Sequence, residues 1–172
     1  MLDKKLEKAL GEQVVKEFYS AYLYLAMAGW FEEQVLPGLA KWMRTQAQEE
    51  GCHALMFFNY LCEKGVQPVL GAIDAPPAKF KSVTEVFRQV VEHERAVTAS
   101  IHKIADLAVE LRDHATKQAL EWFIAEQVEE EASAEAMLRQ AQRLEGDKAL
   151  FLLDKEAGTR VFTLPAPLTG KI

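Results

Sequence analysis

The chain has 172 residues, 49% apolar and 27% charged, with a formal net charge of −6. That length and balance suit one globular, mostly helical domain, and the surplus of acid without a long basic run argues against a nucleic-acid footprint and favours metal cations. The opening MLDKKLEKAL lacks the basic start and apolar stretch of an export signal, and no run of about 18 apolar residues follows, so the expected setting is cytoplasmic with no membrane span.

The first predicted helix covers residues 5–33, where Leu6, Leu10, Val14, Glu17, Ala21, Tyr24 and Ala28 recur at spacings of three and four. It stops at EEQVLPGLAKW, where Pro37 suits the first turn of a second helix over about 37–64, closed by Gly65 as a left-handed cap. Residues 65–81, with three prolines and two glycines, read as an extended connection able to run the length of a helix pair. The expectation is that it brings the third helix to the end where the first begins. Cys52 and Cys62 are expected to be reduced and to behave as small hydrophobes, since two cysteines ten apart make no thiolate metal site.

Ser82 followed by Glu85 forms a capping box for a third helix at about 83–110, with Phe87, Val90, Glu94, Val97, Ile101 and Ile104 facing inward. A tight turn at 111–114 leads to a fourth helix, 115–144, with Phe123, Gln127, Glu130, Ala134 and Met137 on one stripe. Gly146-Asp147 breaks the pattern before a short helix at 147–157. The expected fold is all-α, a four-helix bundle with a long crossover between helices two and three and a short fifth helix. Residues 1–157 form its domain, and 158–172 a flexible or surface-draped tail.

The acids on these stripes carry the chemistry. The stretch AQEEGCHALMFF sets Glu50 and His53 on the face that holds Ala47, Ala54 and Phe57. Buried charge is costly unless something pairs with it. In an antiparallel hairpin, level residues share a sequence midpoint at the turn; Glu17 with Glu50, and Glu94 with Glu130 or Gln127, satisfy this for the two hairpins. If the hairpins pack in register, all four helices bring a polar group to one height. Two divalent cations would offset four carboxylates, and oxygen ligands with one imidazole suit iron, manganese or zinc better than copper. Glu49, Glu126 and Glu129 flank this set, either as a solvated helix face or as a further ion-binding step. Tyr24 and Trp122 lie close to it on their helices, as core aromatics or, for the Tyr24 phenol, as a donor of an electron and proton.

Glu17, the Glu50–His53 pair in EEGCH, Glu94 in HER, and Gln127 with Glu130 in EQVEEE resemble the ferroxidase centre of the non-haem bacterial ferritins over about residues 3–157. The resemblance implies a shell of twenty-four subunits with octahedral symmetry that oxidises Fe(II) with O2 or H2O2 at an intrasubunit two-iron centre and stores Fe(III) oxyhydroxide. It implies that Glu17 and His53 are terminal ligands of one iron, Glu50 the bridge, Glu94 and Glu130 ligands of the second, and Gln127 a hydrogen-bond partner. It also implies that Glu49, Glu126 and Glu129 make a third iron site. The bacterioferritins have His where this chain has Glu130 and a haem-ligating Met where it has Gly51, which disfavours haem. The mini-ferritins that protect DNA lack the fifth helix. The alternatives are a bacterioferritin-like store carrying haem through another Met, or a stand-alone rubrerythrin-like diiron oxidase or peroxide reductase, against which the absence of a CxxC…CxxC module counts.

Overall fold

The computed structural model of the chain describes residues 2–144 and 147–169. Its helices are α1 (Lys4–Glu33), α2 (Pro37–Glu63), α3 (Val83–Glu110), α4 (His114–Gln142) and α5 (Asp147–Ala157), followed by a 3-10 turn at Ala166–Leu168. No strand occurs among the described residues, and the architecture is the expected four-helix bundle with a long crossover and a short fifth helix. The break foreseen at Gly146-Asp147 lies partly outside the described residues.

Local chemistry explains the helix ends. The Asp3 carboxylate accepts from Lys5 N at 2.8 Å, and the Ser82 hydroxyl accepts from Glu85 N at 3.1 Å, each satisfying an amide that the first turn leaves unpaired. The Glu85 carboxylate reaches back to Lys81 N at 2.7 Å, one residue before the cap. Gly65 closes α2 with φ 73°, a conformation that a Cβ would disfavour. Leu36 gives α2 no side-chain cap. Asp154 of α5 supplies it, accepting from Leu39 N at 2.8 Å. Gly38 permits that contact, since a Cβ there would stand 1.7 Å from the Asp154 carbonyl oxygen.

The connection from Lys64 to Ser82 travels about 60 Å if fully extended, enough to pass a 30-residue helix of roughly 45 Å. It leaves the end of α2, which lies beside the start of α1, and runs the whole length. It therefore delivers α3 to the end where α1 finishes, not where it begins as the sequence reading expected. Trp30 against Phe80 and Phe31 against Phe87 fix that end, with ring centroids 5.9 and 6.0 Å apart. Consequently α3 runs antiparallel to α1, with Lys16 bonded to Ser100 and Ser20 to His93.

The buried apolar side chains form two clusters. One gathers Tyr24, Met27, Phe31, Met43, Phe87, Val90 and Met137, with Leu153 and Ala157 of α5. The other gathers Leu6, Leu10, Val14, Phe57, Ile101, Leu120 and Phe123. Of the inward stripe expected on α1, Ala21 lies at the edge and is half-buried. Cys52 and Cys62 are both free thiols, the first buried and the second exposed. Between the two clusters in sequence order on all four long helices stands a layer of buried polar side chains.

Candidate metal centre

That layer contains Glu17 from α1, Glu50 and His53 from α2, Glu94 from α3, and Gln127 and Glu130 from α4, each at most 5% exposed. Ligand atoms of Glu17, Glu50 and His53 lie within 4.8 Å of one another, as do those of His53, Glu126 and Glu130. Glu17 follows Val14 by three residues, and His53 and Glu50 precede Phe57 by four and seven, so on each helix the site side chains share the face of a core side chain one or two turns away.

Hydrogen bonds hold one oxygen of Glu17 and one of Glu130, and both oxygens of Glu94. Gln13 Nε2 donates to Glu17 Oε1 at 2.8 Å, and the Gln13 carbonyl in turn accepts from the Ser100 hydroxyl at 2.6 Å. Gln46 Nε2 donates to Glu130 Oε2 at 2.8 Å. The Tyr24 hydroxyl donates to Glu94 Oε1, while Gln127 Nε2 donates to Glu94 Oε2 at 3.2 Å and to Thr98 Oγ1 at 3.2 Å. Glu50 Oε2 lies 3.6 Å from His53 Nδ1. Glu17 Oε2, Glu50 Oε2 and His53 Nε2 remain buried with no hydrogen-bond partner.

Such a site resists ionisation. Burial, then the Glu50 charge, pushes the Glu17 carboxyl up to about 8; burial, then Glu94, pushes Glu130 up to about 7. Glu50 is driven well above the usual carboxylate range by burial and by Glu94 and Glu130, and burial raises Glu94. The Tyr24 phenol is raised as well, by burial and by Glu94. Among the described residues no Lys or Arg forms an ion pair with Glu17, Glu50, Glu94 or Glu130. A cation is the group that answers this donor set: three unpaired buried acceptor atoms on two carboxylates and an imidazole, too crowded with like charge to ionise without one.

The outer acids behave differently. Glu49 is half-buried, held up to about 7 by burial against the opposing charge of Arg160, and Glu126 is half-buried and raised by burial. Glu129 is exposed and does not join the ligand clusters. Trp122 stands edge-on to His53, ring centroids 5.5 Å apart, and packs on Phe123.

Sequence reasoning missed Gln13 and Gln46, both buried and both bonded to a site carboxylate. A signal existed: each precedes a site glutamate of its own helix by four residues, one helical turn. It also missed Thr98 and Arg160, whose neighbours depend on tertiary packing.

A four-helix bundle with a long crossover and a carboxylate–histidine layer through its middle defines a ferritin-like protein. Residues 7–144 match the family model described as a ferritin-like domain, and the chain belongs to the ferritin family. It is 38% identical over 160 residues to the bacterial non-heme ferritin of Bacteroides fragilis, covering 93% of this chain and 100% of that one. It is 36% identical over 163 residues to the bacterial non-heme ferritin of Staphylococcus aureus, covering 94% and 98%. Among solved structures, the open-pore ferritin of Archaeoglobus fulgidus superposes with a TM-score of 0.92 at 42% identity, over 94% of this chain and 100% of that one. A humanized archaeal ferritin superposes with a TM-score of 0.93 at 43% identity, over 95% and 99%.

Proposed function

We propose that this chain is an iron store that oxidises Fe(II) at a two-iron centre inside each subunit and retains the ferric product in a hollow shell of identical subunits, twenty-four in octahedral arrangement. Iron is substrate and cargo here. The observation that carries the reading is the convergence of Glu17, Glu50, His53, Glu94 and Glu130 from four helices, nearly excluded from water, with acceptor atoms left unpaired. The ferritin family and the archaeal structures support storage and a homo-oligomer. The exposed Phe151 and Leu152 of α5 suit contact with further copies.

In this reading Glu17 and His53 bind one iron, Glu50 bridges, and Glu94 and Glu130 bind the second. Gln13 and Gln46 aim Glu17 and Glu130 by holding one oxygen or edge of each, and Gln127 and Tyr24 do the same for Glu94. Hard carboxylates favour the ferric state, so ligand choice itself assists electron loss. Each Fe(II) gives one electron; two electrons and two protons convert O2 to H2O2, or H2O2 to two waters. The carboxylic protons displaced as iron enters are available for that reduction, and the Tyr24 phenol stands ready beside Glu94. Glu49 and Glu126, beside His53 and Glu130, would take iron in the next step, with the exposed Glu129 as a further acid near Glu126. No helix among the described residues is long and apolar enough to cross a membrane, which fits the cytoplasmic setting proposed here.

Aerobic Fe(II) given to the purified protein should be oxidised far faster than in a protein-free blank, with retained iron rising well beyond two per subunit. Retention near two would mark a stand-alone oxidase, and no oxidation above the blank would end the proposal. Native mass before and after loading reads the shell.

A further inference from the structure

The segment after α5 does not leave the bundle. Lys41 Nζ donates to the Gly158 carbonyl at 2.8 Å, and two tight backbone turns, Thr159 N to Glu156 O at 3.0 Å and Arg160 N to Ala157 O at 3.2 Å, aim the chain back along α2. Phe162 and Leu164 then pack on the cluster that holds Met56, Leu120 and Phe123, and Leu168 is 1% exposed there. The tail is thereby anchored on both sides of Arg160.

Arg160 is set against the outer acids. Its Nη2 lies 2.6 Å from Glu49 Oε2, and its guanidinium carbon is 4.6 Å from the centre of the Trp42 ring. Glu49 directly precedes the bridging candidate Glu50, and its neighbours in charge are Glu130, His53 and Glu126. Those three already bring ligand atoms within 4.8 Å of one another, and His53 Nε2 is buried without a partner. A cation held by these groups would have Glu49 as the next carboxylate outward, and the guanidinium holds one of its two oxygens, Oε2. Yet the Arg160 seat is imperfect: Nη1 is buried with no partner, so the pair lacks the full set of bonds that would make it hard to open.

We propose that Arg160 is a tethered counter-cation that a third metal ion must displace from Glu49, so that the C-terminal segment sets how readily the outer site fills and iron leaves the centre. This rests on the two-iron reading above, and the test separates the two. A guanidinium with one charge neutralises Glu49 while the outer site is empty; an ion with two or three charges and several oxygen ligands outcompetes it when iron is delivered from within. The hydrophobic anchors at Phe162, Leu164 and Leu168 keep the displaced Arg160 close enough to return.

The experiment is calorimetric titration of the metal-free assembled protein with redox-inert Zn(II). Wild type should take two tight equivalents per chain and a weaker third. In Arg160→Gln the third should tighten by about tenfold, the equivalent of one decade in Kd, while the first two stay unchanged; Arg160→Lys should lie between. In a Glu49→Gln background the Arg160→Gln change should have no effect on zinc binding. A third equivalent that is unchanged or weaker in Arg160→Gln, with the first two intact, overturns the proposal and leaves Arg160 as a simple anchor. Absence of two tight equivalents in wild type defeats the two-iron reading instead. Should Arg160→Gln fail to assemble, hydrogen exchange of wild-type residues 159–164 decides: exchange should rise on the third zinc equivalent and not on the first two, and no rise overturns the proposal.

Discussion

Glu17→Gln should make the metal-free protein more stable in alkali and remove its iron site. Glu17 is 1% exposed, accepts one bond from Gln13 and has its second oxygen unpaired beside Glu50. Its carboxyl is raised from 4.5 in an open chain to about 8 in the fold, so the folded state holds a proton that the unfolded state releases. The sign follows: this contribution to stability is complete below pH 4.5 and is lost as pH climbs to about 8. The full loss is on the order of 5 kcal/mol, since each tenfold step in proton affinity is worth about 1.4 kcal/mol. A neutral amide of the same shape loses none of it. Thermal unfolding of chelator-stripped wild type and variant, followed by circular dichroism at pH 5, 7 and 9, should show a steep fall with pH in wild type and a shallower one in the variant. The gap in midpoint at pH 9 should be on the order of 10 °C. Parallel pH slopes for the two proteins would mean instead that Glu17 is neither buried nor crowded by Glu50.

Tyr24→Phe removes the hydroxyl that bonds Glu94 and should slow Fe(II) oxidation by about tenfold with metal stoichiometry unchanged, read by stopped-flow absorbance; an unaltered rate would make Tyr24 a core aromatic only. Gly38→Ala would set a methyl 1.7 Å from the Asp154 carbonyl oxygen and should force α5 off the start of α2, lowering the melting midpoint and the assembled mass together. Asp154→Ala keeps the backbone contact and loses only the bond to Leu39 N, so its effect should be near 1 kcal/mol by the same melts.

The helices were legible because each carries its own signals: Ser82 with Glu85, Pro37 at a first turn, Gly65 with positive φ, and apolar spacings of three and four. Level placement of Glu17 with Glu50, and of Glu94 with Gln127, was also legible, because a tight turn fixes the register of a helical hairpin by counting alone. The direction in which the long connection delivers α3 was open to a sequence argument, since a full-length return from the end of α2 can finish only beside the end of α1. What sequence could not carry was pairing between distant segments. Asp154 capping α2, Gly38 making room for it, and Arg160 reaching Glu49 each join residues more than one hundred apart, and nothing local in either partner announces the other.

The claim at the centre is that four helices aim acid at paired cations. Crystals soaked in Fe(II) without oxygen and measured on both sides of the iron absorption edge test it most directly. Two strong anomalous peaks per chain are expected, one among Glu17, Glu50 and His53 and one among Glu50, Glu94 and Glu130. A single peak confined to Glu49, Glu126 and Glu129, or none among the buried acids, would contradict it.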